Sequence, residues 1–196
     1  MQTVSYKMVL ASNSPRRREL LAGLDIPFEV RVADGIDESY PETIPAHEVA
    51  RYIAGEKAAA YCKTIADDEL VITADTVVVV GEKVLGKPKD AKEACSMLRE
   101  LSGKTHRVIT GVCLITRQEK RLFDVTTYVT FKPLTEEEIR YYVNRYRPID
   151  KAGAYGVQEW IGYIGVTNLS GSYYNVMGLP VQRIYQELNS LTGGIR

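Results

Sequence analysis

The chain has 196 residues, with 25 basic residues balanced by 25 acidic ones and no net charge. A neutral chain is not typical of a nucleic-acid-binding protein, although a local basic cluster can still bind phosphate. We expect one domain over residues 1–196, since a chain of this length can bury a core without disulfides or metals. Three widely spaced cysteines, and no apolar run long enough for a signal peptide or a membrane span, predict a cytoplasmic protein.

Strand and helix patterns are mixed along the chain. Strands are predicted at 7–11 and 27–33, a buried strand turns at 81–83 into a short return strand, and 104–132 form a hairpin. Helices are predicted at 15–24, 45–63, 90–102, from the Thr135 capping box to 147, and from Pro180 onward. Three Gly-rich, aromatic stretches at 151–158, 162–168 and 171–180 are interpreted as strands and loops. This order predicts an α/β fold with a twisted mixed β-sheet flanked by helices.

The segment "ASNSPRRREL" combines the end of a strand, a polar turn and a helix that begins with three arginines. Cations are disfavoured at a helix N-terminus, but the free backbone N–H groups there can bind an anion together with Ser12. A bound phosphate would explain Arg16 and Arg17, whereas a solvated basic face is the alternative. Arg18 lies about 100° around the helix from Arg17 and is expected to face solvent or a partner.

Asp75 interrupts the apolar run "VITADTVVVV". An unpaired buried carboxylate is costly, so Asp75 needs a cation, a metal or water. It is predicted either to cap a neighbouring turn or to act as a metal ligand or general base. The Thr76 hydroxyl lies on the opposite face of the strand, or near the same ligand if the strand bends there.

Three further charged residues could complete a phosphate site. Lys87 occupies a restricted turn between Gly86 and Pro88, Glu38 could join Asp75 around a divalent cation, and Lys57 could reach the same phosphates from its helix. Each of them alone is more often a solvated surface charge. Together with the arginines they form the set of groups needed to cleave a polyphosphate with Mg²⁺.

Six stretches, in order and spacing, resemble the Maf family of nucleoside triphosphate pyrophosphatases: "LASNSPRRRELL", "ADTVVVV", "GKP", "LSGKTHRVITGV", "DKAGAYGVQ" and "GSYYNVMGLP". The resemblance implies two lobes around a deep cleft, similar to inosine triphosphate pyrophosphatases, and hydrolysis of a nucleoside triphosphate to the monophosphate and pyrophosphate. It also implies a divalent cation, Mg²⁺ or Mn²⁺, and is compatible with a homodimer.

The resemblance assigns roles residue by residue. Asp75 matches the catalytic base, and Glu38 matches the acidic residue associated with metal and catalysis. The residues that match phosphate-side positions are Ser12, Arg16, Arg17, Lys57 and Lys87, of which Lys87 is also expected to support catalysis.

The stretch "AGAYGVQ" resembles the branch of the family that acts on dTTP and UTP. Arg16, Thr76 and Gln158 match its specificity positions, and a Gln amide can pair with N3–H and a carbonyl of uracil or thymine. A role in removing modified pyrimidine nucleotides is implied. Glu159 replaces the glycine that usually follows, and this could alter base preference. The alternatives are a 7-methyl-GTP pyrophosphatase and a non-catalytic, nucleotide-binding regulator of septum formation.

Overall fold

The computed structural model describes residues 6–192, which form one seven-stranded mixed sheet with helices on both faces. The strands are β1 (Lys7–Leu10), β2 (Phe28–Val30), β3 (Glu69–Val80), β4 (Lys83–Leu85), β5 (Thr105–Ile115), β6 (Lys120–Phe131) and β7 (Val166–Ser170). The helices are α1 (Pro15–Ala22), α2 (Val49–Ala59), α3 (Ala91–Leu101), α4 (Glu136–Tyr146), α5 (Trp160–Gly165), α6 (Tyr173–Met177) and α7 (Val181–Thr192). The predicted mixed α/β architecture is confirmed.

The long strand β3 has a gap along one edge. The sheet order is β2-β1-β3-β5-β6-β7, with β4 also paired to β3, and only the β1–β2 and β1–β3 pairs are parallel. On one edge of β3, residues 69–72 pair with β1 and residues 78–80 pair with β4. The intervening residues 73–77 therefore have no strand partner on that edge, although β5 pairs with them on the other.

The two faces of the sheet are covered differently. Helix α2 packs on the face that carries Val71, Val77 and Val79. The opposite face carries two separate apolar clusters, one around α1 and α7 and one around α3, α4 and α5. Alternation along β3 follows from the period of two in a strand, so Asp75 lies on the α2 face and Thr76 on the other.

Gly111 allows α2 to lie close to the sheet. A Cβ atom at this position would lie 2.3 Å from the Ala50 carbonyl oxygen and 2.4 Å from the Arg51 nitrogen. Gly111 pairs directly with Asp75 in the β3–β5 ladder. The missing side chain thus sets the distance between helix α2 and the row of the sheet that contains Asp75.

Two sequence predictions were wrong in part. The stretches at 162–168 and 171–180 contain helices α5 and α6 as well as the strand β7. Helix α6 is stabilised by tertiary contacts, because the buried Asn175 amide donates to the carbonyls of Val108 and Val125. Helix α2 is shorter than predicted, since residues 46–48 form a 3₁₀ turn and the chain leaves the helix after Ala59.

Within residues 6–192, no helix combines the length and apolar character needed to cross a membrane.

Candidate active site

A cavity of about 550 Å³ opens at the gap in the edge of β3. Its wall includes residues of α1, of the segment 150–158 and of the loop that follows β2. All nine candidate residues line it: Ser12, Arg16, Arg17, Glu38, Lys57, Asp75, Thr76, Lys87 and Gln158. Arg18 is absent from this wall and is exposed, with a bond to Asn13, as the angular argument predicted.

Two carboxylates converge on one ammonium group in this cavity. Lys57 Nζ lies 2.8 Å from Asp75 Oδ1 and 2.9 Å from Glu38 Oε1. The side chains of Lys57 and Asp75 are only 11% and 14% exposed, whereas that of Glu38 is 52% exposed. The carboxylate of the buried strand therefore has a cation partner from α2, and a carboxylate from a loop joins the pair at the surface.

The charges around Glu38 keep it ionised. Burial alone would raise the pKa of Glu38, but the hydrogen bond and charge of Lys57, with Lys87 and Arg17 nearby, hold the pKa below its ordinary value. Among the described residues, Lys87 has no hydrogen-bond or ion-pair partner, and Asp75 Oδ2 accepts no hydrogen bond. One cation and one carboxylate oxygen thus remain available to a ligand.

Arg17 is held mainly by protein atoms. Its guanidinium donates to the Gly178 carbonyl at 2.9 Å, the Ala74 carbonyl at 2.8 Å and Thr76 Oγ1 at 3.1 Å. The Ala74 carbonyl belongs to the unpaired part of the β3 edge, so Arg17 fills a position that a neighbouring strand would otherwise take. Burial lowers the pKa of Arg17, although a guanidinium stays protonated in proteins. Two of its five N–H donors remain free for a ligand.

Arg16 is paired with an acidic residue that the sequence predictions did not include. Arg16 Nη1 lies 2.7 Å from Asp150 Oδ2, and Lys151 Nζ lies 2.8 Å from the other oxygen of the same carboxylate. Burial alone would raise the pKa of Asp150, but these two partners lower it to about 2. A phosphate that binds Arg16 therefore competes with the Asp150 carboxylate for the Arg16 guanidinium, or shares that guanidinium with it.

The turn before α1 is pre-formed by its own hydroxyl groups. The Ser12 hydroxyl accepts from the Ser14 backbone nitrogen at 3.2 Å, and the Ser14 hydroxyl caps the helix by accepting from the Arg17 nitrogen at 3.4 Å. The predicted N-cap at Ser14 and the N1 proline at Pro15 are confirmed.

Gln158 carries an unsatisfied acceptor. Its Oε1 atom is buried and has no hydrogen-bond partner among the residues that the structure describes. Because buried polar atoms are nearly always paired and Gln158 lines the cavity, this amide is the candidate among the wall residues for a contact with a ligand. Glu159, the departure noted in the sequence, does not line the cavity. Its carboxylate bonds the Tyr142 hydroxyl and lies 3.1 Å from Lys151 Nζ.

The site fits a divalent cation only if the substrate supplies further ligands. In residues 6–192, no group of three or more His, Cys, Asp or Glu side chains could hold a metal. Asp75 and Glu38 do direct oxygens to one point, which the Lys57 ammonium marks as favourable for positive charge. Mg²⁺ at nucleotide sites is typically held by one or two carboxylates, water and phosphate oxygens. The two carboxylates match that donor set.

Sequence reasoning missed several residues of the cavity wall, among them Asp150, Lys151 and Tyr155. Asp150, Lys151 and Tyr155 lie in, or directly before, the Gly-rich stretch 151–158 that contains Gln158. That stretch is therefore the sequence feature that could have indicated them. His106 is buried, and its Nε2 lies 2.7 Å from the hydroxyl of Tyr155. Burial lowers the pKa of His106 to about 4, so the ring is neutral at pH 7.

Comparisons with known proteins find similar sequences over nearly the whole chain. A family model described as Maf-like protein matches residues 7–191. The dTTP/UTP pyrophosphatase of Phocaeicola vulgatus is 60% identical over 186 residues, which cover 95% of this chain and 96% of that protein. The dTTP/UTP pyrophosphatase of Parabacteroides distasonis is 60% identical over 93% of this chain and 95% of its own length. A solved HAM1 protein from Coxiella burnetii aligns with a TM-score of 0.41 and 15% identity over 64% of this chain and 73% of that chain.

Proposed function

This chain belongs to the Maf family, and from that premise we propose that it is a nucleoside triphosphate pyrophosphatase that hydrolyses dTTP and UTP to the monophosphate and pyrophosphate. The observation that carries the proposal is the cavity in which Asp75 and Glu38 meet Lys57 and whose wall also includes Gln158. A removal of modified pyrimidine nucleotides in the cell is part of the same proposal.

Asp75 is the proposed general base. Its Oδ1 is fixed by Lys57, and its Oδ2 accepts no bond from the described residues, so that oxygen can take a proton from a water molecule. Because Asp75 lies on a strand inside the sheet, the orientation of its carboxylate is fixed. A fixed base favours an in-line attack of that water on a phosphorus atom.

The cations are proposed to bind the phosphates. Lys87 makes no hydrogen bond or ion pair with the described residues, Lys57 is next to Asp75, and Arg17 keeps two N–H donors. Negative charge that develops on the leaving pyrophosphate would be stabilised by these fixed positive groups. Ser12 and Arg16 at the start of α1 complete the phosphate side of the proposal.

Gln158 is the proposed base-recognition residue. Its unpaired Oε1 can accept the N3–H of uracil or thymine, and its amide nitrogen can donate to a ring carbonyl. Cytosine has no N3–H, so CTP would leave the Gln158 oxygen without a donor. Thr76 supports this side of the cavity through Arg17 and through Thr110, whose hydroxyl lies 2.9 Å away.

Asp75 and Glu38 are the residues that would hold Mg²⁺ or Mn²⁺ together with the substrate. When bound, the metal would neutralise phosphate charge and polarise a phosphoryl oxygen. A cytoplasmic location and a homodimer also belong to the proposal. The three cysteines of the chain are free thiols, which is consistent with a reducing compartment.

The test is a substrate panel with the purified protein and Mg²⁺ or Mn²⁺: dTTP, UTP, CTP and 7-methyl-GTP. We expect dTMP or UMP and pyrophosphate in equal amounts from the first two, and slower hydrolysis of the others. Release of orthophosphate without pyrophosphate would refute the proposal. Saturable nucleotide binding without turnover under any metal would instead indicate a regulator.

A further inference from the structure

A chain of polar contacts runs behind the wall that carries Gln158. The Gly156 backbone nitrogen donates to the Tyr142 hydroxyl at 3.0 Å, and that hydroxyl donates to Glu159 Oε2. The other Glu159 oxygen lies 3.1 Å from Lys151 Nζ. Lys151 in turn binds Asp150, the partner of Arg16, so the contacts connect the turn at 156–159 with helix α1.

The turn at 156–159 is closed by Glu159 in two ways. The Glu159 backbone nitrogen donates to the Gly156 carbonyl at 3.0 Å. The Glu159 side chain reaches back under Gly156, because a Cβ atom at residue 156 would lie only 2.9 Å from the Glu159 carboxyl carbon and 3.1 Å from Lys151 Cε. The Gly156 backbone, two residues before Gln158, therefore packs directly against this carboxylate and its lysine.

The Glu159 carboxylate is committed to protein contacts and not to the cavity. Both of its oxygens have partners, its side chain is 20% exposed, and it does not line the cavity. Lys151 is 9% exposed, so it depends on Glu159 and Asp150 for its counter-charge. Burial, followed by the bond to Glu159, raises the pKa of Tyr142, which keeps its hydroxyl protonated as a donor.

We propose that Glu159 is a positioning residue that fixes the Gln158 turn against Tyr142 and Lys151 and thereby sets the affinity of the site for the nucleotide base. The inference rests on the proposed function, because it takes Gln158 as the base-recognition residue. It predicts that weakening the Glu159 contacts lowers affinity for the base, while the phosphate contacts of Arg17, Lys57 and Lys87, which have no bond to Glu159, Tyr142 or Lys151, stay intact.

The experiment measures dissociation constants by calorimetry for two ligands. One is α,β-methylene-dTTP, which cannot be cleaved between its first two phosphorus atoms, and the other is pyrophosphate, which has no base. The variants are Glu159→Gln, which removes the charge facing Lys151, and Tyr142→Phe, which removes the hydroxyl that links Glu159 to Gly156. For either variant we expect the dissociation constant of the analogue to rise about tenfold and that of pyrophosphate to stay within twofold.

Glu138→Gln is the matched control. Glu138 also pairs with a lysine, Lys132, at 2.7 Å with comparable exposure, and it lies on α4 like Tyr142 but not on the cavity. Glutamine at this position preserves the capping box with Thr135. Both ligands should bind this variant as they bind the parent protein.

Two results would overturn the inference: an analogue affinity within twofold of the parent in both variants, or equal losses of affinity for the analogue and pyrophosphate. If Glu159→Gln does not fold, Tyr142→Phe decides between these outcomes. A parent protein that binds the analogue but forms no dTMP from dTTP would refute the proposed function alone, because the affinity comparison needs no turnover.

Discussion

Two aspartates of the same row of the sheet face the same helix, but only one of them lies in the cavity. Asp75 on β3 and Asp124 on β6 both pair with Gly111, one from each side of β5. Each binds a cation of α2: Lys57 Nζ lies 2.8 Å from Asp75 Oδ1, and Arg51 Nη1 lies 3.5 Å from Asp124 Oδ1.

The surroundings of the two pairs differ more than the pairs themselves. The Lys57 side chain is 11% exposed and also binds Glu38, whereas the Arg51 side chain is 40% exposed and also binds Glu48 in the 3₁₀ turn before α2. A loop carboxylate and a free lysine therefore gather only at the Asp75 end, next to the gap in the β3 edge. Strand register alone therefore places a carboxylate next to a cation of α2 at both ends of the row. Whether that carboxylate belongs to a site depends on the loops that surround it.

The largest effect is expected from Asp75→Asn. Loss of the proposed general base should lower kcat for dTTP by about 10²- to 10⁴-fold, measured as dTMP formed under saturating substrate. Asp124→Asn is the matched control, because it removes a carboxylate of the same row with a partner on the same helix. The kcat of Asp124→Asn should stay within twofold of the parent protein. An equal loss in both variants would show that these aspartates affect activity only through the stability of the fold.

Replacement of Lys57 by Met should have the next largest effect. The change leaves Asp75 and Glu38 facing each other without their common cation, so kcat/KM for dTTP should fall about 100-fold. The pKa of Glu38 should rise in this variant, because Lys57 is the main group that lowers it. The acidic limb of the kcat/KM profile should then move to higher pH.

Arg51→Met removes the corresponding cation from the other pair. It should leave both the rate and the pH profile unchanged, since Arg51 does not line the cavity. A loss of activity as large as that of Lys57→Met would contradict the division between the two ends of the row.

Gly111→Ala tests the close packing of α2 on the sheet, on which both ion pairs depend. Its methyl group would lie 2.3 Å from the Ala50 carbonyl, a backbone atom that cannot move without the helix. We expect a loss of about 1–3 kcal/mol in the free energy of unfolding, measured by urea denaturation, and reduced activity because α2 would carry Lys57 away from Asp75.

Gly55→Ala on α2 is the control, since its methyl group would meet only the half-exposed Leu122 side chain at 3.4 Å. Its stability should be unchanged or higher, and an equal loss in both variants would argue against close packing at Gly111.

The sequence made the residues on regular elements of this site predictable. Asp75 stood out because a carboxylate interrupted an apolar strand, and the start of α1 was marked by Ser14 and Pro15. Such signals are local, because side-chain alternation and helix caps depend on neighbours in the chain. The way in which these residues surround one cavity depends on the whole fold. A single stretch of sequence could therefore indicate it only in part.

The contacts that depend on distant segments were not predictable. The bond from Arg17 to the Ala74 carbonyl requires the gap between β1 and β4, which no local pattern announces. Helix α5 was missed for a different reason: only glycine fits at residue 162, because a Cβ atom there would lie 1.8 Å from the Val157 carbonyl oxygen, and glycine by itself favours a loop. A glycine in an aromatic stretch favours a loop until the segment packed against it is known.

The smallest effect concerns a carboxylate on the strand of Asp75 that lies outside the cavity. Glu69, at the start of β3, accepts from both terminal nitrogens of Arg31 at 2.8 and 2.7 Å. The bond from Arg31, helped by the Ala66 nitrogen, lowers the pKa of Glu69 from 4.5 to about 2. Because the folded-state pKa is the lower one, ionised Glu69 stabilises the protein above pH 4.5, and this contribution is lost as pH falls toward 2.

Glu69→Gln should therefore lower the free energy of unfolding by roughly 1 kcal/mol or less near pH 7, since Arg31 is partly exposed and solvent screens the pair. The difference from the parent protein should shrink between pH 4.5 and 2, measured by urea denaturation across that range. In a background of Arg31→Met, the same substitution should lose most of this pH dependence. The rate of dTTP hydrolysis should not change in any of these variants, because Glu69 and Arg31 do not line the cavity. A loss of turnover in Glu69→Gln would mean that pairing along β3, rather than position at the gap, determines which carboxylates matter for catalysis.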